Sequence, residues 1–349
     1  MGVWYATRED VKSALDIMET ARNDVQVDRA IENASRQVEA LTHRRFYPEL
    51  ATRYFDWPNA SYAESYRLWL DSNELISATT VVSGGTTILA SKYDLRRSDD
   101  LSEPPYTYLE LSLSSNAAFS SGSTHQRSLS ILGLYGYKND TSPAGALAEA
   151  LDNSETGVDV NDSAIVGVGT LLNCESERMI VTGKSLLSVT TITGASLTAV
   201  NSDALVGVTA GTAFKTGEVI TVDAEKMRII DIAGNNLIVK RAWDGSVLAT
   251  HSTGATIYAP RTLTVVRAAL GTTVATHADT TALTKQTYPG PVVALTVAYS
   301  LNELLQESTG YARSVGTGDN QREFSERGIK ELASDCMRAV GRQMRSGAI

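Results

Sequence analysis

The sequence predicts an α+β fold, with a helical core built from both ends of the chain, an antiparallel sheet region and an inserted all-β domain. Three observations predict this fold. Apolar residues recur every three or four positions near both ends, they alternate with polar residues between about 53 and 137, and the stretch after 146 has short β-rich runs. We therefore expect residues 1–145 and 287–349 to form the core and 146–286 to form the inserted domain.

Two helices are predicted near the N-terminus. Thr7 followed by Asp10 is typical of an N-cap with an acid in the first turn. One helical face then carries Val11, Ala14, Leu15 and Met18. The same spacing from Val27 to Leu41 predicts a second helix over about 25–42.

Three basic residues, His43, Arg44 and Arg45, follow this second helix. The negative end of the helix dipole favours cations at this position, so helix capping is the interpretation we prefer. The alternative is that they face nucleic acid, as part of a channel or an interface.

A small antiparallel sheet is predicted after Pro48. The runs 66–70, 78–82, 108–113 and 128–135 are strand-like. Gly84-Gly85 between two such runs indicates a hairpin. The turn-forming residues at 138–150 predict a linker to the inserted domain.

The inserted domain contains an internal repeat. Residues 174–179 match 222–227 around Glu177 and Glu225, and residues 241–251 match 267–277 around Arg241 and Arg267. Both copies of the Glu block precede both copies of the Arg block, whereas a tandem duplication would alternate them. We therefore expect a nested pair, in which the Glu225 block forms a hairpin with the Arg241 block and the Glu177 block pairs with the distant Arg267 block. This order predicts a barrel or sandwich with a pseudo-two-fold axis.

The repeated residues allow two interpretations. Glu177, Glu225, His251 and His277 are residue types that hold metals or perform acid/base chemistry. The alternative is that each Glu and Arg form an ion pair that fixes the register of the strands. We favour the structural interpretation, because a scaffold explains a symmetric repetition more simply than a site does.

The C-terminal segment is predicted to return to helix, from about 292 to 308 and from about 322 to 344, with a loop between them. Its charge differs from that of the rest of the chain. The net charge of −9 divides into −5 for 1–145, −4 for 146–286 and zero for 287–349. No acid follows Asp335, whereas Arg338, Arg342 and Arg345 do. This local patch is either a solvated helix face or a docking surface for an acidic partner.

Composition and motifs exclude several classes of protein. An acidic chain argues against a protein that coats nucleic acid. Two cysteines cannot form a disulfide framework, and no apolar run reaches the ~20 residues of a membrane span. The N-terminus has no signal-peptide pattern, so we expect synthesis in the cytoplasm. No zinc spacing, phosphate-binding loop or dinucleotide fingerprint is present, so we expect no metal, no cofactor and no enzyme activity.

Four stretches carry a resemblance to a known family. They are YATREDV at 5–11, RRFYP at 44–48 leading to YFDWP at 54–58, ILGLYGY at 131–137, and GYAR at 310–313 within the C-terminal helix pair. In these stretches the sequence resembles the head-to-tail connector, or adaptor, proteins of tailed bacteriophages with long tails. The resemblance covers about 1–145 and 287–349, and the β region departs from it.

The resemblance implies a structural virion protein at the head–tail junction, assembled in the cytoplasm of the bacterial host. It implies a ring of about twelve copies that attaches to the portal protein, extends the DNA channel and receives the next neck protein. Arg338, Arg342 and Arg345 would then dock on the portal, the β domain could reach the capsid, and passing double-stranded DNA would be contacted non-specifically. The alternatives are a stopper, a tail terminator, or a β-rich module that binds a receptor or carbohydrate.

Overall fold

The computed structural model describes residues 2–14, 24–58, 65–99, 102–308, 314–315, 322–323 and 326–343. Within these residues the helices α1 to α4 span Arg8–Ala14, Asp24–Thr42, Gly290–Ser308 and Glu326–Val340. The strands β1 to β7 span Glu49–Phe55, Arg67–Trp69, Leu75–Ser83, Thr86–Ile88, Tyr93–Arg96, Tyr108–Leu111 and Leu129–Tyr135. The strands β8 to β13 span Thr141–Ala146, Gly157–Asp159, Leu171–Cys174, Glu177–Thr191, Leu205–Gly207 and Val219–Val222. The strands β14 to β19 span Glu225–Ala233, Asn236–Lys240, Thr256–Val266, Ala282–Gln286, Ser314–Val315 and Arg322–Glu323.

The first helix begins at a reciprocal cap. The backbone N–H of Asp10 donates to the Thr7 hydroxyl over 3.1 Å, and the Asp10 carboxylate accepts from the backbone N–H of Thr7 over 2.9 Å. Val11 of this helix is fully buried, as the periodicity predicts. Leu15 and Met18, assigned to the same face from the sequence, lie outside the described residues.

Helices from both ends of the chain pack together, α2 against α3 and α3 against α4. The apolar face of α2 is buried from Val27 to Val38, which agrees with its predicted span. The last helix is shorter than the predicted 322–344. It ends at Val340 because Gly341 adopts a left-handed φ of 70°, and its N–H bonds to the Met337 carbonyl oxygen over 2.9 Å. The predicted loop between α3 and α4 falls mostly outside the described residues.

Two small antiparallel sheets follow α2. One has the strand order β1-β7-β3-β4 and the other has the order β2-β6-β5. The predicted Gly84-Gly85 hairpin joins β3 to β4, and both glycines have positive φ. These two sheets therefore lie in the region where alternating apolar and polar residues predict an antiparallel sheet.

A ten-stranded antiparallel sheet contains the β-rich region, in the order β12-β15-β14-β13-β16-β11-β10-β17-β8, with β9 paired to β16. Its two ends do not pair with each other, so within the described residues the sheet does not close into a barrel, which was one of the two predicted forms beside a sandwich. The linker predicted at 138–150 was wrong in part, because 141–146 form β8 at one end of this sheet. Pro143 lacks an N–H and is tolerated there because an edge strand leaves one side unpaired.

The long strand β11 pairs with β16, with Ile180 opposite Val266, and β14 forms a hairpin with β15. This is the pairing that the nested order requires. Two hydrophobic clusters lie within residues 144–286. A third combines Leu171 and Ile180 with Tyr5 and Phe46, so the β region also packs on the helical part of the chain.

Candidate functional site

Each of the repeated glutamates forms a buried, bidentate ion pair with an arginine. Arg241 donates from Nε and Nη2 to the two carboxylate oxygens of Glu225 over 2.7 and 2.8 Å. Arg267 does the same to Glu177 over 2.8 and 2.7 Å. This planar pairing is the strong geometry for Arg and carboxylate.

A histidine completes each cluster. His251 places Nε2 2.9 Å from Glu225 and Nδ1 2.7 Å from Asp223, and its side chain is fully buried. His277 is placed in the same way, with Nε2 3.0 Å from Glu177 and Nδ1 2.9 Å from Glu175. Each imidazole therefore lies between the repeated glutamate and a second carboxylate.

The pKa of Glu225 reflects two opposing effects. Burial raises the pKa, but hydrogen bonds from Arg241, His251 and the backbone N–H groups of Ala242 and Ala249 outweigh it and lower the pKa to about 2. The carboxylate is therefore ionised at neutral pH and has no proton to exchange.

Glu177 is in the same situation. Burial raises its pKa, and the donors Arg267, His277, Ala275 and Ala268 lower it to about 2. The Glu177 and Glu225 side chains have no exposed surface, so a substrate has no access to them. These clusters can hold loops and strands together, and they lack the access that acid/base chemistry needs.

Each arginine also fixes the loops around its cluster. Arg241 donates to the carbonyl oxygens of Thr198, Asp203 and Ala249. Arg267 donates to those of Asp152, Glu155 and Ala275. One guanidinium thereby connects three separate chain segments in each cluster.

The acids Asp223 and Glu175, which contact the histidines, were missed in the sequence. Each lies in a two-residue turn with a φ near 50°, at the hairpins β13–β14 and β10–β11. The sequence pattern that could have identified them is an acid two positions before each repeated glutamate. The buried pair of Glu218 and Arg261, at 2.8 Å, was also missed, because neither residue recurs in the repeat.

Two of the three basic residues after α2, His43 and Arg44, contact the C-terminal segment. Nδ1 of His43 lies 3.1 Å from the carbonyl oxygen of Gln343, and Nε2 of His43 lies 3.0 Å from the Arg342 guanidinium. Arg44 donates to the carbonyl oxygen of Gly341 over 3.1 Å and forms an ion pair with Glu74. These contacts bring together residues about 300 positions apart in the chain.

The three arginines that were predicted to dock on a partner do not share one environment. Arg338 is largely exposed on α4 and pairs with Asp335 over 3.2 Å. Arg342 meets His43, and Arg345 lies outside the described residues. Arg45 is exposed and pairs with Glu49 over 3.2 Å.

A cleft of about 400 Å³ adjoins these residues. His43, Arg45, Glu74 and Gln343 are among the residues that line it. Burial raises the pKa of Glu74 to about 7, although the Arg44 guanidinium opposes the shift. No sequence pattern points to Glu74, because its partner Arg44 is 30 residues away and belongs to no repeat.

The described parts of the chain contain neither a metal-binding cluster nor a membrane-spanning helix. No group of three or more His, Cys, Asp or Glu is placed to hold a metal ion there. None of the helices in those parts is both long enough and apolar enough to cross a membrane. No protein-family model, curated protein or solved structure matches this chain significantly.

Proposed function

We propose that this chain is a structural protein of a bacteriophage neck, which forms a ring of about twelve copies between the portal and the next neck or tail-completion protein. One observation supports this most. The C-terminal ends of α2 and α4 lie side by side, so that Arg44 and Arg342 from opposite ends of the chain share one surface region. Arg338 lies in the last turn of α4, four positions before Arg342, and is largely exposed.

The charge of this region suits a docking function. The chain as a whole has a net charge of −9, whereas the segment after Asp335 contains only basic charges. A local patch of one sign steers a complementary partner and fixes its orientation. The portal is the partner we propose for it, and DNA that passes through the ring would be held weakly by an acidic body.

We further propose that residues 146–286 are an inserted domain with a pseudo-two-fold axis, and that it could reach the capsid. Its support is the recurrence of one cluster in each half, Glu225–Arg241–His251 and Glu177–Arg267–His277, with matching distances. A duplicated unit that has retained its buried ion pair explains this recurrence.

Binding to a purified phage portal protein tests the docking surface. Arg338→Glu combined with Arg342→Glu should weaken portal binding, and the loss should be larger at low salt, because salt screens exposed charges. Lys92→Glu combined with Lys215→Glu is the matched control, since it reverses two basic residues elsewhere. Equal binding by all three proteins would refute the docking role.

Negative-stain microscopy of the chain alone and with the portal tests the ring. A closed ring on the portal supports an adaptor. A ring that binds only to the completed neck supports a stopper or terminator instead. A chain that binds neither, but binds a glycan or cell surface, would refute the neck assignment.

A further inference from the structure

The β region contains two hydrophobic clusters that have no residue in common. One of them is built only from residues between Ile192 and Ala259. The other draws on two separate stretches, 144–181 and 263–283, which lie on either side of the first in the sequence. A continuous piece of the chain therefore has a core of its own, and the residues that flank it complete a second core without it.

The two buried ion-pair clusters divide in the same way. The cluster around Glu225 takes all its hydrogen-bonding residues from 198–251. The cluster around Glu177 takes its residues from 152–177 and 267–277. Neither cluster therefore needs a residue from the other half of the repeat.

The strands β11 and β16 connect the two halves. Ser185 lies opposite Thr262, and the two strands continue as a pair from there to Thr191 opposite Thr256, with register shifts along the way. Residues 186–261, here called the inner module, thus begin and end at facing positions. The remaining residues of the β region, 144–185 and 262–286, are here called the outer unit.

Apart from strand pairing, two hydrogen bonds join the inner module to the described residues outside it. The Ser163 hydroxyl donates to the Glu218 carboxylate over 3.3 Å, and the backbone N–H of Val160 donates to the carbonyl oxygen of Arg261 over 2.9 Å. Arg261, the buried partner of Glu218, belongs to the module itself. Removal of the whole module therefore takes both members of this ion pair away together.

The outer unit packs on the helical part of the chain. Leu171 and Ile180 lie in one hydrophobic cluster with Tyr5, and among the described residues this cluster includes none from the inner module. The backbone N–H of Arg8 donates to the carbonyl oxygen of Val168 over 3.1 Å. These contacts do not involve the inner module.

We propose that the inner module is a self-contained folding unit, inserted at the tip of a hairpin that β11 and β16 form, and that the rest of the chain folds without it. A second copy of a unit placed inside the first puts both Glu blocks before both Arg blocks, which is the nested order of the repeat. The module then opens and closes as a unit of its own while the outer unit keeps its place on the helices. The inference does not depend on the neck assignment, because it concerns only how the chain folds.

Hydrogen exchange of the full chain, followed by mass spectrometry, tests the independence of the two halves. Glu225→Gln should accelerate amide exchange in β13 to β15 at least ~100-fold, because a buried pair loses one partner, and should leave exchange in β10 and β17 as it is in the wild type. Glu177→Gln is the matched variant in the outer unit and should have the opposite pattern. Acceleration in both halves by the same variant, or in neither half, would overturn the proposal.

Deletion of the inner module from the full chain tests whether the rest needs it. An Asn-Gly turn can connect Ser185 directly to Thr262, because these residues face each other on paired strands. Amides of β10 and β17 in the shortened chain should exchange within about two-fold of their wild-type rates. A second version with Gly-Gly at the same place separates a failure of the turn from a failure of the outer unit. Loss of protection in both versions would show that the outer unit depends on the module and would overturn the proposal.

Discussion

Replacement of Glu225 by Gln tests whether the buried clusters are structural. The carboxylate accepts five hydrogen bonds, from Nε and Nη2 of Arg241, Nε2 of His251 and the backbone N–H groups of Ala242 and Ala249. Gln has the same shape, but it carries no charge and turns an NH₂ group towards donors. The substitution leaves the buried Arg241 guanidinium without its counter-charge.

The expected cost is about 3–5 kcal/mol, which is the usual penalty for breaking a buried pair. The pKa of Glu225 gives an independent figure. A fall from 4.5 to about 2 corresponds to about 3 kcal/mol, at about 1.4 kcal/mol per factor of ten in the acid dissociation constant. Arg241→Met should cost less than Glu225→Gln, because His251 and the backbone donors still compensate the carboxylate.

Urea unfolding followed by circular dichroism measures these costs. Lys226→Ala is the matched control in the same half, because it removes a partly exposed pair with Asp244 at 2.7 Å. This surface pair should contribute less than about 1 kcal/mol. A cost for Glu225→Gln no larger than that of the control would refute the structural role that we assign to the cluster.

Three further predictions concern the repeated glutamates, Glu74 and the two matching glycines. Glu177 and Glu225 have lowered pKa values, so the stability that they provide should be complete above about pH 4.5 and be lost as the pH falls towards about 2. The midpoint of urea unfolding, measured as the pH is lowered in the wild type and in a variant with Gln at both sites, checks this. The pKa of Glu74 is raised to about 7, so the stability that its protonated form provides should be complete below about pH 4.5 and be lost as the pH rises through 7. Glu74→Gln should therefore lower the free energy of unfolding least at about pH 8, and an equal loss at about pH 5 and about pH 8 would contradict this. Gly245→Ala should cost about 1 kcal/mol, for its positive φ alone, whereas Gly271→Ala should cost at least about twice as much because it also collides with β1; thermal unfolding of the two variants makes the comparison.

Much of the fold could be predicted because it depends on local periodicity. The spacing in α2 places its apolar residues on one face whatever surrounds them, so its span of Asp24–Thr42 lies within one residue of the prediction. The strand β8 was missed because Pro143 and Gly145 are turn-forming types, and only the sheet edge makes them acceptable. The end of α4 was missed because it depends on the left-handed conformation of Gly341.

The buried clusters were partly predictable for a different reason. A repeat displays the same contact twice, so Glu225 with Arg241 and Glu177 with Arg267 could be singled out without any structure. The acids that contact the histidines are Asp in one copy and Glu in the other, so a search for identical residues passed over them. The contact of Arg44 with Glu74 occurs once, and nothing in the sequence separates it from the other possible pairs.

The change in composition near residue 146 marks a change in secondary structure, but it does not separate the hydrophobic cores. Trp4 packs so closely on Gly169 that no side chain fits between them. The backbone N–H of Arg8 donates to the carbonyl oxygen of Val168 over 3.1 Å, and Glu9 pairs with Lys184 over 3.3 Å. The N-terminal segment and the β region therefore pack directly on each other, so a substitution at Trp4 or Gly169 should destabilise both.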